Sequence, residues 1–238
     1  MARLKVCVLI SGRGSNLQAL IEAAADPGYP GEIVLVISNR PDAPGLARAA
    51  NAGIAHRTVA HADRRLFAAE AQAGLHHSGV ELVALAGFMR ILDTGFVEAW
   101  RDRLVNIHPS LLPAFPGLHP QRQALAAGVK FSGCTVHFAR PEIDTGPIIA
   151  QAVVPVEAGD DEALLSERIL AAEHRLYPMA VRLFAEGRLR IDGNMVAVSG
   201  VSAPQIAVFN PSPPPFPPQP PPFPPQPPPF PPPLAGEG

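Results

Sequence analysis

Only two cysteines occur in the 238 residues, Cys7 and Cys134, each inside an apolar, strand-like run. That excludes a disulfide framework, and neither has metal-ligand spacing; reduced core thiols of a cytosolic protein are expected. Charge of one sign is also lacking. The 19 basic and 21 acidic residues leave a net charge of −2, so the basic footprint of a nucleic-acid binder is missing. No apolar run approaches the ~20 residues of a membrane span, and no h-region with a small-residue cleavage site follows the start. A cytoplasmic protein without membrane contact is therefore expected. The first glycine-rich turn has neither the third glycine of the dinucleotide fingerprint nor the Gly-Lys-Ser/Thr of the P-loop, which disfavours NAD and ATP. No serine or cysteine nucleophile stands out.

What is present is enough apolar material, 47%, for one compact domain with a real core. Val6 to Ile10, Ile33 to Ser38 and Leu82 to Ala86 are continuous apolar runs, the pattern of parallel strands buried on both faces. Helices are expected from the Ser15/Asn16 cap to Ala25, from Ala43 to Ala52, from Asp63 to His77, and from Thr94 to Trp100. A further helix should lead from Pro120 through Ala127, and a long one should start at Asp161 or a neighbour, with Leu164, Leu165, Ile169 and Leu170 on its buried face. Ile54 to Val59, Phe131 to Phe138 and Ile148 to Val156 read as strands, and Arg190 to Val198 as an antiparallel edge pair. The sum is an α/β fold: a doubly wound, mostly parallel twisted sheet with an antiparallel edge, flanked by helices. It occupies residues 1–200. From about Ala203 the composition shifts to a repeated Pro-Pro-Pro-Phe-Pro-Pro-Gln unit, so 201–238 reads as a disordered or polyproline II tail. Such a tail is either inert or suited to a proline-reading partner of the SH3, WW or EVH1 kind.

The chain turns on Asn106-Ile107-His108-Pro109-Ser110-Leu111-Leu112-Pro113. Asn106 and His108 lie where a strand gives way to a proline-stiffened loop, and two residues apart in extended backbone they point the same way. One is a neutral amide; the other is the side chain that titrates nearest neutrality. An oxyanion donor beside an acid/base is equipment for acyl transfer, although Asn-x-His at a strand end is also a common turn. Three other stretches carry polar chemistry. Ser11-Gly12-Arg13-Gly14-Ser15-Asn16 joins a strand to a helix N-terminus, an arrangement suited to an anion or simply a tight turn. Gly87-Phe88-Met89-Arg90-Ile91-Leu92 follows a buried strand, where ligands of open α/β sheets gather. In Arg140-Pro141-Glu142-Ile143-Asp144-Thr145-Gly146-Pro147, Asp144 is either a turn former or a carboxylate able to favour and orient a protonated imidazole. His137, on the face of its strand opposite Cys134, Val136 and Phe138, is either a second polar group for the site or half-exposed.

Asn106 to Pro113, with Phe115-Pro116-Gly117-Leu118 after it, resembles the signature of the folate-dependent formyltransferase family, and the likeness runs from about Lys5 to about Leu189. The resemblance implies formyl transfer from 10-formyltetrahydrofolate, a co-substrate, to the amine of glycinamide ribonucleotide in purine biosynthesis, without a metal. It implies catalytic roles for Asn106, His108 and Asp144. Gly14, Ser15, Asn16 and Glu173 would hold the ribonucleotide. Arg64, Met89, Arg90, Ile91, Leu92, Asn106, Arg140, Glu142 and Asp144 would hold the folate. Arg13, His119 and His137 are left without a fixed role, and monomer and homodimer both remain open. Two relatives of the same family are alternatives. The tRNA-directed formyltransferases carry a folded C-terminal RNA-holding domain, whereas here proline repeats without a basic residue follow Arg190. The formyltetrahydrofolate hydrolases carry an added N-terminal regulatory domain, whereas this chain opens on its first strand. A non-enzymatic scaffold that works through its tail is the third alternative.

Overall fold

The structure, a computed structural model, describes residues 2–202 and 207–210. Its elements run β1 (Leu4–Ile10), α1 (Ser15–Ala25), β2 (Gly31–Ser38), α2 (Gly45–Asn51), β3 (His56–Thr58), α3 (Arg64–His77), β4 (Leu82–Leu85), α4 (Thr94–Ala99), β5 (Leu104–His108), α5 (Pro120–Ala126), β6 (Phe131–Phe138), β7 (Ile148–Pro155), α6 (Glu162–Ala185), β8 (Leu189–Asp192) and β9 (Met195–Val198). Seven strands form one sheet in the order β3-β2-β1-β4-β5-β6-β7. The first five pair in parallel; β6 and β7 join antiparallel at one edge. This is the expected doubly wound architecture. All these elements lie in the first of two compact units, which divide after Gln205. The proline repeats of the expected tail lie outside the described residues.

The central strands show why the sheet forms. Along β1, Val6, Val8 and Ile10 pack with Leu17, Leu20, Leu165, Ile169 and Tyr177 on one face. Cys7 and Leu9 pack with Phe67, Leu75, Phe96 and Trp100 on the other. Strand periodicity of two sends alternate side chains to opposite faces, and a parallel sheet covered by helices buries both. Each aliphatic side chain so buried contributes roughly 1.5–3 kcal/mol. Both cysteines are free and buried. Tyr177 of α6 is fully buried and directs its hydroxyl at the carbonyls of Leu85 (2.9 Å) and Val105 (3.2 Å), which fastens the long helix to β4 and β5.

Several expectations are corrected. Helix α1 is not capped by Ser15 or Asn16. Gly14, at φ 71°, takes the N-cap position and makes no side-chain bond, so Ser15 is already helical. α2 and β3 are shorter than read, because Pro44 and the turn at Gly53 (φ 69°) confine them. Leu164 is 51% exposed instead of facing the core, since the helix turns its buried face through Leu165 and Ile169. The strand pair near Val198 forms, but as a separate two-stranded sheet, β8-β9. His137 is not half-exposed: it is 2% accessible, under the β5-β6 pairing.

The winding reverses between β1 and β4, which are neighbours in the sheet although two strands intervene in sequence. Open α/β sheets place ligand crevices at the carboxyl ends of strands beside such a reversal. The turn after β1 (11–14) and the loop after β4 (86–93) both emerge there.

Candidate active site

Asn106 and His108 occupy the last residues of β5, one strand beyond the reversal. The antiparallel pairing with β6 sets Asn106 opposite His137 and His108 opposite Thr135. The Asn106 amide nitrogen lies 3.2 Å from His137 Nε2, and His137 Nδ1 lies 3.1 Å from the Phe138 carbonyl. Burial, the largest effect, pushes the His137 pKa below its ordinary value, so the neutral ring is favoured. A neutral ring that donates from Nδ1 to Phe138 accepts from Asn106 at Nε2. His137 thus fixes which way the Asn106 amide faces.

His108 is 6% exposed, and its Nε2 donates to the Phe115 carbonyl at 3.0 Å. Its other nitrogen, Nδ1, faces Asp144 Oδ2 at 3.4 Å. A proton on Nδ1 therefore points at a carboxylate. That carboxylate is itself held, since Gly117 N–H donates to Asp144 Oδ2 at 2.8 Å. Asp144 takes a left-handed backbone, φ 55°, tolerable for Asp and imposed by the tight 140–147 loop. Gly146, two residues on, is required by space: a Cβ there would stand 1.6 Å from the Phe138 carbonyl oxygen. The loop 109–115 is tied down by Thr135, which is fully buried. Its hydroxyl donates to Ser110 O (2.7 Å) and accepts from Leu112 N–H (3.0 Å).

At the carboxyl end of β1, with β4 between it and β5, lies the turn 11–16. Asn16 is buried, and its amide donates to Glu173 Oε2 at 2.7 Å. Glu173 is 5% exposed; desolvation raises its pKa from 4.5 to about 7, opposed only by the Asn16 bond. Of the residues attributed to the folate, Met89 and Ile91 are exposed, Leu92 is half-buried, and Arg64 is exposed at the start of α3. Arg90 spends its guanidinium on the carbonyls of His61 and Ala62 and lies over the Phe67 ring. Arg140 is paired with Asp102 at 2.6 Å, and Glu142 is exposed, its carbonyl accepting from the Thr145 hydroxyl. A cavity of about 610 Å³ borders the Asp144 loop, lined by Leu112, Pro116, Ile143 and Ile148 and by Met195 and Val196 of the β8-β9 hairpin.

The structure therefore brings Asn106, His108 and Asp144 together, adds His137, and links Asn16 to Glu173. It leaves His119 apart: that residue caps α5 at φ 54°, mostly exposed and 3.5 Å from Glu162. Arg13 is exposed. Sequence reading alone gave no reason to single out Ser11, whose hydroxyl donates to Asn39 Oδ1 (2.6 Å) and accepts from Met89 N–H (2.8 Å). Nor did it single out Arg48, or place the expected strand pair near Val198 beside the Asp144 loop. Their signals are tertiary contacts, which no short motif carries.

An amide, an imidazole and a carboxylate converging at the ends of strands in a doubly wound sheet define an acyl-transfer class of α/β enzyme. The known proteins narrow that class. The Formyl transferase family matches residues 4–181, and this chain belongs to that family. The trifunctional purine biosynthetic protein adenosine-3 of Drosophila pseudoobscura pseudoobscura is 55% identical over 193 residues, 79% of this chain, but the match spans only 14% of that protein's length. The phosphoribosylglycinamide formyltransferase of Escherichia coli (strain K12) is 46% identical over 204 residues, covering 84% of this chain and 96% of that one. Glycinamide ribonucleotide transformylase 1 of Symbiobacterium toebii superposes with a TM-score of 0.80 at 51% identity, over 82% of this chain and 94% of that one.

Proposed function

We propose that residues 1–200 transfer a formyl group from 10-formyltetrahydrofolate to the amine of glycinamide ribonucleotide, a step of purine biosynthesis, in the cytoplasm. The observation that carries this reading is the His108–Asp144 contact, 3.4 Å between groups that are each 10% exposed or less, beside Asn106. The E. coli relative, 46% identical over nearly its whole length, supports the choice of acceptor.

The amine lone pair attacks the formyl carbon, and the carbonyl π electrons move to oxygen. The developing oxyanion is stabilised by the Asn106 amide and by protonated His108. In a water-poor site such donors act far more strongly than in bulk solvent. The bond from carbon to the folate nitrogen then breaks as His108 delivers to that nitrogen its Nε2 proton, released from the Phe115 carbonyl, and the neutral imidazole so formed takes the proton that the amine gives up. Asp144, held by Gly117 N–H, faces His108 Nδ1 at 3.4 Å and fixes the ring. His137 keeps the Asn106 amide in donor orientation. Gly14, Ser15 and Asn16 offer N–H groups at a helix N-terminus to the ribose phosphate, with Glu173 behind Asn16. The folate lies along 89–92 and 140–144.

The test is spectroscopic consumption of 10-formyltetrahydrofolate with and without glycinamide ribonucleotide. Consumption that requires the ribonucleotide and yields its formyl derivative is expected. Consumption without an acceptor would make the chain a hydrolase, and no consumption in either mixture would overturn the reading.

A further inference from the structure

The turn 12–14 is gripped from behind by α2, through a side chain the reaction above does not use. Arg48 donates from Nε to the carbonyl of Arg13 at 2.9 Å and from Nη1 to Gln18 Oε1 at 3.2 Å. Gln18 belongs to the first turn of α1, and its own N–H bonds the Gly14 carbonyl at 2.9 Å. One guanidinium therefore spans the turn and the start of the helix.

Peptide geometry gives that contact a consequence. In a trans peptide the C=O and the following N–H point to opposite sides of one rigid plane, and the single cis bond among the described residues is at Pro113. Drawing the Arg13 carbonyl onto Arg48 turns the Gly14 N–H to the opposite side of the turn. The Gly12 carbonyl is drawn the same way, accepting from Gly45 N–H at 3.0 Å. Two successive carbonyls, the negative ends of the turn's dipoles, are thus engaged on the α2 side. The contact is close enough to exclude side chains: a Cβ on Gly14 would stand 2.8 Å from Gly45 Cα, and one on Gly45 would stand 2.6 Å from Ile10 Cδ1.

We infer that Arg48 is a positioning residue for phosphate: it holds the 13–14 peptide so that the Gly14 N–H faces a phosphate monoester, and it adds cationic charge behind the turn. This rests on the acceptor loop of the proposed reaction.

The experiment uses the full chain, its Arg48→Met and Arg48→Lys variants, and inorganic phosphate as the probe. Affinity is read from amide shifts of Gly14 and Ser15, alongside steady-state kinetics. Loss of a hydrogen bond to a charged group predicts phosphate binding about tenfold weaker in Arg48→Met, and a ribonucleotide KM about tenfold higher. The kcat and the folate KM should stay within about twofold. Arg48→Lys keeps the charge without the two-point fork and should recover part of the loss. Turnover of the unphosphorylated glycinamide riboside should be equal in all three proteins. Unchanged phosphate affinity in a variant with the wild-type melting temperature would overturn the inference. So would an equal loss with the riboside, in either variant, because that marks a general structural role. If the wild type ignores the ribonucleotide yet binds phosphate in an Arg48-dependent way, the reaction falls and the role of Arg48 stands.

Discussion

Asn106, His108 and Asp144 are each held by a different partner, so single substitutions have separable consequences. Asn106→Ala deletes an amide whose direction His137 fixes, and His108→Ala deletes the imidazole beside Asp144 that is proposed to carry the proton. Removing one oxyanion donor typically costs ~10²–10³ in kcat, and steady-state rates of both variants should show at least that. Normal turnover in either would remove that residue from the chemistry. Glu173 carries a different signature. Its carboxyl is raised from 4.5 to about 7 in the folded protein, chiefly by desolvation. Below pH 4.5 both folded and unfolded chains hold this proton, and there is no penalty. Between 4.5 and 7 the unfolded chain releases it while the folded one retains it, so stability falls as pH rises, by roughly 3 kcal/mol in all, and stays level above. Glu173→Gln, which can still accept from Asn16, should therefore gain stability over wild type across that window. His137 acts oppositely, because its lowered pKa costs stability on the acid side, but it cancels in the difference. Urea titrations at pH 4.5, 6 and 7.5 would measure the gain, and a difference independent of pH would refute it. The grouping of His108 with Asp144 was legible in sequence, because Asn106, His108 and Asp144 stand in long motifs. The burial of His137 and Glu173 was not, since burial depends on what packs above a residue, not on its neighbours in the chain.

The elements were legible where a pattern is local and blurred where the other half of a contact is distant. Continuous apolar runs marked β1, β2 and β4, and Asp63, whose carboxylate accepts from Arg65 and Leu66 N–H, marked the start of α3. The start of α1 misled. Ser15 and Asn16 are both good caps by propensity, but Gly14 packs on Gly45 and starts the helix itself, freeing Asn16 for Glu173. The β6-β7 connection depends equally on a contact that sequence does not display. The Gly146 backbone runs against the Phe138 carbonyl, and Pro147 O accepts from Phe138 N–H at 2.9 Å. Gly146→Ala cannot be absorbed by a flexible side chain, because the obstacle is backbone. The connection must open, at a cost of ~1–3 kcal/mol or more, and Asp144 must move from His108. A fall in kcat exceeding tenfold, with a lower unfolding midpoint, is expected. Full activity would mean that the loop is softer than its packing implies.

For the molecule as a whole, the reversal of winding between β1 and β4 does most to place function, and strand order follows from no single motif. It brings two loops into contact that sequence reading treated separately: the turn 11–16, assigned to the ribonucleotide, and 89–92, assigned to the folate. Ser11 directly follows β1 and bonds to the loops beyond both neighbouring strands, its hydroxyl donating to Asn39 Oδ1 beyond β2 and accepting from Met89 N–H beyond β4. One 6%-exposed hydroxyl thus sets the spacing of the two loops. Ser11→Ala removes the partner of Asn39 Oδ1 and of the Met89 N–H. Leaving such groups unpaired costs ~1–3 kcal/mol, less where water reaches them. If each loop held its ligand independently, the substitution would raise the KM of at most one substrate. If Ser11 fixes the spacing, the KM of both should rise together by severalfold, while Asn106, His108 and Asp144, which lie on β5 and the 140–147 loop, keep kcat within about threefold. Measuring both KM values at saturating co-substrate separates the cases, and a rise confined to one substrate would show that the loops are coupled by the sheet alone.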